Sequence, residues 1–166
     1  MIKKIALEHD LNIIIKLHPK EIGQNLYKRA FDSGSGKVNW KFSVDHPFSL
    51  GKNCQFAVSF YSGVPLDLLQ LGVPTIELSD FRGIDHDDHP NSLRNTRGEA
   101  VREYRYLNLV LGATTFEEFQ NHVKKIFSDK QKVINDLNKN YSKIFKHKMK
   151  SSDIISDEII NAFNEM

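Results

Sequence analysis

Residues 55–78 restrict the fold more than any other stretch of the chain. Gln55–Phe60 reads as a strand, and Tyr61-Ser62-Gly63 as a tight turn. Val64–Leu71 then reads as a short helix. Pro65 sits in its first turn, where a missing N–H costs nothing. Gly72 closes the helix, and Pro74 prevents its continuation. Thr75–Leu78 is a further strand. Strand, turn, helix and strand within about 25 residues make a compact βαβ unit, whose crossover is right-handed.

The flanking segments repeat the alternation. Ile2–His9 reads as the end of a helix, with Ile2, Ile5 and Ala6 at helical spacing. Leu11–Leu17 is a nearly continuous β-branched run stopped by His18-Pro19, the pattern of a strand buried on both faces of a parallel sheet. Lys20–Phe31 reads as helix and Val38–Phe42 as a second strand, while His46–Asn53 is a loop or short helix. Residues 79–104 read as a long polar loop, and Leu107–Leu111 as a fifth strand. Thr115 and Glu118 have capping-box spacing, so a helix is expected to start there and run to Phe127. Asp129 is placed to cap a second helix to Lys148, and Ser151-Ser152-Asp153 to open a third.

This order predicts an α/β fold, a Rossmann-like open parallel sheet with flanking helices and a C-terminal helical segment. The expected organisation is a nucleotide-binding domain over 1–112, truncated at its N-terminus, with helices of 113–166 packing on it. Composition agrees with one folded domain: 40% hydrophobic and 27% charged residues over 166 positions exclude a wholly disordered chain. Cys54 is alone, which excludes a disulfide framework. No apolar run suits a signal peptide or a membrane span, so the expected location is the cytoplasm. The net charge of +2 is too small to imply nucleic acid, and none is expected as a partner. It hides an asymmetry, however. Residues 120–150 carry nine lysines against two aspartates, a candidate for peripheral contact with the inner face of an anionic membrane.

Ligands of open α/β sheets bind beyond the carboxyl ends of the strands. Three such ends carry polar groups: His18, Ser62-Gly63 and Glu77. Gly63 lets a phosphate approach the backbone at a helix N-terminus, and Ser62 adds a hydroxyl. His18 is suited to donate to a phosphate oxygen or to protonate a leaving phosphate, and Glu77 to accept from ribose hydroxyls. Together they describe a nucleotide at a sheet edge.

Ile13–Pro19 together with Phe56–Ile76 resembles the C-terminal, donor-nucleotide half of GT-B fold glycosyltransferases. The nearest likeness is to the bacterial capsule and teichoic-acid polysaccharide transferases. The resemblance rests on a lysine- and His-Pro-tipped strand, a serine-bearing turn, and a helix ending in Gly, one residue and Pro. It implies that His18 contacts the donor phosphate and acts catalytically as it leaves. It implies that Ser62, Gly63 and Val64 cradle phosphate, with Glu77 as a weaker ribose or base contact. The substrate is then a CMP-, CDP- or UDP-linked sugar or polyol donor, with no cofactor and no metal. Family turns often carry two hydroxyl residues where this chain has Ser62 and then Gly63. The acceptor-binding half is absent from the resemblance, so the chain is expected to be incomplete as a catalyst alone and to work with a separate acceptor half. Two other readings fit the same architecture: a fragment of the UDP-GlcNAc 2-epimerase type, and a non-catalytic nucleotide-binding or regulatory module.

Other motifs carry less. Asp85-His86-Asp87-Asp88-His89 has metal-ligand chemistry but is too compressed for all five to face one ion. Arg82, Arg94, Arg97, Arg102 and Arg105 lie close to it in sequence and suit phosphate or an acidic sugar, although scattered surface charge explains them more simply. Gly34-Ser35-Gly36-Lys37 fails as a phosphate loop, because position 31 is Phe and Val38 follows the lysine. Asp45-His46-Pro47 reads as a turn, and Cys54 as a small buried residue.

Overall fold

The computed structural model describes residues 1–17, 24–60, 62–84 and 87–146. The expected helix start over 20–23 and the third C-terminal helix from Ser151 lie outside them. The chain is α/β, and among the described residues every strand ladder is parallel, with one isolated antiparallel bridge between Arg94 and Ala100.

Helix α1 (Ile2–Glu8) opens the chain and buries Ile5 and Ala6. Strand β1 (Ile13–Ile15) pairs with β2 (Trp40–Phe42) across α2 (Gln24–Asp32), with Ile14 opposite Lys41. Helix α3 (Pro47–Gly51) is the short-helix alternative for 46–53. His46 is its N-cap, its Nδ1 accepting from the Phe48 N–H at 3.3 Å. Strand β3 (Ala57–Ser59), helix α4 (Val64–Gln70) and strand β4 (Thr75–Leu78) form the expected βαβ unit. Strand β5 (Leu111–Ala113) completes a sheet of order β3-β4-β5.

The end of α4 follows from its sequence. Gly72 takes φ +70, a left-handed value, and its N–H reaches the Leu69 carbonyl at 2.9 Å. The Val73 N–H reaches back to Leu68, also at 2.9 Å. These two bonds are a Schellman motif, which satisfies the last carbonyls of the helix and turns the chain into β4.

Register sorts the three-stranded sheet into unlike faces. Val58, Ile76, Leu78, Leu111 and Ala113 share one face, where they pack with Ile5 of α1 and with Phe119, Val123 and Ile126. Those last three belong to α6 (Phe116–Ile144), which bends at Asp129 (φ −155, ψ 81). The Asp129 Oδ1 accepts from the Lys132 N–H at 2.9 Å and so caps the second half of the helix, as its sequence implied. The other face carries Ala57, Ser59, Thr75, Glu77 and Gly112, which are small or polar.

Two expectations are corrected. Among the described residues the strands form two sheets, of two and three strands, rather than one open sheet. The ladders are only three or four residues long, so each holds few hydrogen bonds. The fifth strand begins at Leu111, not Leu107. Helix α5 (Glu103–Tyr106) runs into that segment, Asn108 adopts a left-handed φ of 54, and the Leu109 N–H bonds back to Tyr104 at 2.8 Å. Leu109 and Val110 are apolar because they are buried, not because they are extended. Among the described residues no helix is long and apolar enough to cross a membrane.

Candidate functional site

Strands β3, β4 and β5 run the same way, so the segments leaving them share one edge of the sheet. Ser62 and Gly63 follow β3, Ser79 and Asp80 follow β4, and Thr114 and Thr115 follow β5. Ser62 and Gly63 are exposed, and Val64 is half-buried. The Ser62 Oγ accepts from the Val64 N–H at 3.2 Å, which leaves its own O–H able to donate outward. Gly63 is the N-cap residue of α4, with φ −76 and ψ −16. A Cβ there would meet nothing within 4 Å, so the backbone is open to a ligand. His18, the catalytic residue expected from the sequence, lies outside the described residues, as does Tyr61.

Glu77 stands elsewhere than expected. It is inside β4 rather than at its tip, opposite Ser59 and Gly112. It is 4% exposed. Its Oε1 lies 3.0 Å from Arg105 Nε and accepts from Ser79 Oγ at 3.3 Å. Burial pushes its carboxyl pKa up, and Arg105 and Ser79 only partly offset this. A ribose hydroxyl would have to displace Arg105 to reach that carboxylate.

Sequence reasoning set Arg105 among scattered charges. In the structure it closes the carboxyl edge. Its Nη2 donates to the carbonyls of Glu77 at 2.8 Å and Ser79 at 3.2 Å, and to that of Ala113 at 3.3 Å. Its Nη1 donates to Thr114 Oγ1 at 3.3 Å. Gly112 makes this possible, because a Cβ at that position would come within 2.6 Å of the Arg105 Cδ and Nε. The sequence held no signal for this, because Gly112 meets Glu77 only through the β4–β5 register.

The other arginines of the 79–104 loop are also paired with carboxylates. Arg82 holds Asp80 through Nη2 at 2.6 Å, and its hydrogen bonds bring the Asp80 carboxyl down to about 2. Arg94 pairs with Asp88 at 2.8 Å, Arg97 with Glu99 and Glu118, and Arg102 with Asp87. Arg102 also lies over the Phe81 ring, 5.1 Å from its centroid. A small pocket of about 140 Å3 opens there, bounded by Phe81, Ser92, Leu93 and Val101. In the acid-histidine run, Asp87 and Asp88 therefore face arginines, and His89 Nδ1 accepts from the Asn91 N–H at 3.2 Å. Asp85 and His86 lie outside the described residues.

The structure thus sets the Ser62–Val64 turn and the Arg105 closure on one sheet edge, formed by strands that start more than fifty residues apart in the chain. In comparison with known proteins, the chain matches no family model, no curated protein and no solved structure.

Proposed function

We propose that this chain is the donor-nucleotide-binding half of a GT-B type glycosyltransferase, or glycerophosphotransferase, of surface polysaccharide synthesis. The observation that carries the reading is the Ser62–Val64 turn: exposed at Ser62 and Gly63, open above Gly63, and set where β3 crosses over to a parallel β4. Such turns let backbone N–H groups and a hydroxyl meet phosphate oxygens.

In this reading the turn holds the donor phosphates, and His18 donates a proton or hydrogen bond to the departing phosphate. An acceptor hydroxyl attacks the transferred sugar or polyol phosphate, and the bond to the nucleotide breaks. A base on a separate acceptor-binding half takes the hydroxyl proton. Fixed donors suffice to stabilise the leaving phosphate. Glu77 is the weakest contact, since Arg105 already holds its carboxylate. The protein would act in the cytoplasm, with its lysine-rich residues 120–150 toward the inner membrane face.

The test is a titration by calorimetry and protein NMR with CMP, CDP, UMP, UDP and GDP, on the wild type, His18→Ala and Ser62→Ala. Saturable binding of one nucleotide, weakened in both variants, supports the reading and identifies the donor base. A folded protein that binds none of the five overturns it.

A further inference from the structure

A separate concavity lies elsewhere, in the segment joining α2 to β2. It is an open cleft of about 860 Å3, within the range of small-molecule sites. The half-buried Trp40 indole, backed by the buried Phe31 and Val38, gives it an apolar wall, and Asp32, Lys37 and Asn39 supply its polar groups.

The cleft is held in shape from several sides. The Trp40 Nε1 donates to Asp32 Oδ1 at 2.9 Å. The indole packs on Phe31 at 5.6 Å and meets Phe42 edge-on at 5.3 Å, so its ring plane is fixed. Asn39 Nδ2 donates to Asn12 Oδ1 at 2.8 Å, and Lys3 Nζ donates to the Ser33 carbonyl. Gly34 and Gly36 take left-handed φ values of 80 and 84; a Cβ at Gly34 would stand in open space, while one at Gly36 would meet Leu7 of α1 at 2.8 Å.

The polar groups left over are one oxygen of Asp32, the side-chain amide oxygen of Asn39 (its backbone carbonyl accepts from the Ile13 N–H at 2.9 Å) and the Lys37 ammonium, for which no carboxylate partner is found among the described residues. Asp32 and Lys37 cancel in charge. An immobilised aromatic wall beside a few acceptors and one donor, with no net charge, matches a sugar ring. Its C–H face is apolar, and its rim is a ring of hydroxyls that both donate and accept. We infer that this cleft binds a neutral saccharide, stacked on the apolar wall, with hydroxyls shared between Asp32 and Lys37. The site uses none of the Ser62 edge and stands whether or not a nucleotide binds there.

Trp40 is the only tryptophan, so its fluorescence reports on this cleft alone. The experiment titrates the full chain with glucose, galactose and N-acetylglucosamine, each as monosaccharide and as linear trimer, with adenosine and phenol as aromatic controls. Calorimetry runs in parallel, on the wild type, Asp32→Asn and Lys37→Gln. The expected result is a saturable tryptophan shift with at least one saccharide, matched by calorimetric binding. Each variant should weaken it about tenfold, the size of one lost charge-assisted hydrogen bond. Lys37 is on the surface, so its variant keeps the thermal midpoint of the wild type and separates lost binding from lost folding. Three results overturn the inference: no saccharide binds, a saccharide binds without moving the tryptophan signal, or adenosine or phenol binds where no saccharide does.

Discussion

Arg105 Nε lies 3.0 Å from Glu77 Oε1 across the bare Cα of Gly112. Both side chains are almost wholly buried, at 9% and 5% exposure. Breaking a buried pair leaves one charge without its partner, which is far worse than removing both. Glu77→Ala and Arg105→Ala are each expected to lower unfolding free energy by about 3–5 kcal/mol. Glu77→Leu with Arg105→Met should cost far less than the sum of the single changes. Urea denaturation of the four proteins checks this, and additive losses would contradict it.

Gly112→Ala tests the same arrangement from the other side. The added methyl would meet the Arg105 Cγ, Cδ and Nε at 2.6–2.7 Å. The guanidinium must then move off the carbonyls of Glu77, Ser79 and Ala113. A loss of about 1–3 kcal/mol is expected in the wild type, and little in an Arg105→Ala background.

The Thr115–Glu118 capping box gives a pH signature. Burial alone would raise the Glu118 carboxyl. The N–H groups of Thr114 and Thr115 and the Arg97 guanidinium outweigh it, bringing the group from 4.5 to about 2. A carboxyl depressed in the folded state stabilises the fold above its unfolded value, and that contribution fades as pH falls toward 2. The stability gap between wild type and Glu118→Gln should therefore be full at neutral pH and close between about 4.5 and 2. A gap independent of pH would refute it. Thr115→Ala removes the reciprocal bond and should cost about 1 kcal/mol.

Two glycines of the βαβ unit should respond in opposite ways. Gly72 has φ +70 and closes α4, so Gly72→Ala is expected to cost about 1–2 kcal/mol. Gly63 has an ordinary φ of −76 and open space around it, so Gly63→Ala should leave stability unchanged or slightly raised. Thermal unfolding of the two variants distinguishes them. A stable Gly63→Ala protein also isolates the contribution of that backbone to nucleotide binding.

The contrast among these sites explains what could be read in the sequence. The Pro65–Gly72–Pro74 spacing and the Thr115–Glu118 pair act within a few residues, and the structure has both where they were expected. The Glu77–Arg105 contact joins residues 28 apart, and a lone glutamate in a buried strand does not name its partner. Leu107–Val110 misled for a related reason: apolar character marks burial, while the left-handed Asn108 that keeps the segment from extending carries no strong signature. The Ser62–Val64 turn was legible as a turn at a strand end, and its exposure follows from that position. Its chemistry rests on a ligand that no local pattern specifies.

Cys54 offers a direct probe of packing beside α3. Its Sγ donates to the Leu50 carbonyl at 3.1 Å, and Lys130 Nζ holds its own carbonyl at 3.1 Å. Burial pushes the thiol pKa up, and the nearby Lys130 charge only partly opposes this. The reactive thiolate is therefore scarcer than in a free cysteine at neutral pH. Alkylation of the native protein by iodoacetamide should run about tenfold or more slower than in urea, followed by the mass shift with time. Lys130→Ala removes both the bond that pins the Cys54 backbone and the charge that favours thiolate. If the electrostatic effect dominates, this variant reacts more slowly than wild type in the pre-denaturation range. If the bond to the Cys54 carbonyl is what keeps the segment closed, it reacts faster, and hydrogen exchange at Leu50–Cys54 rises with it.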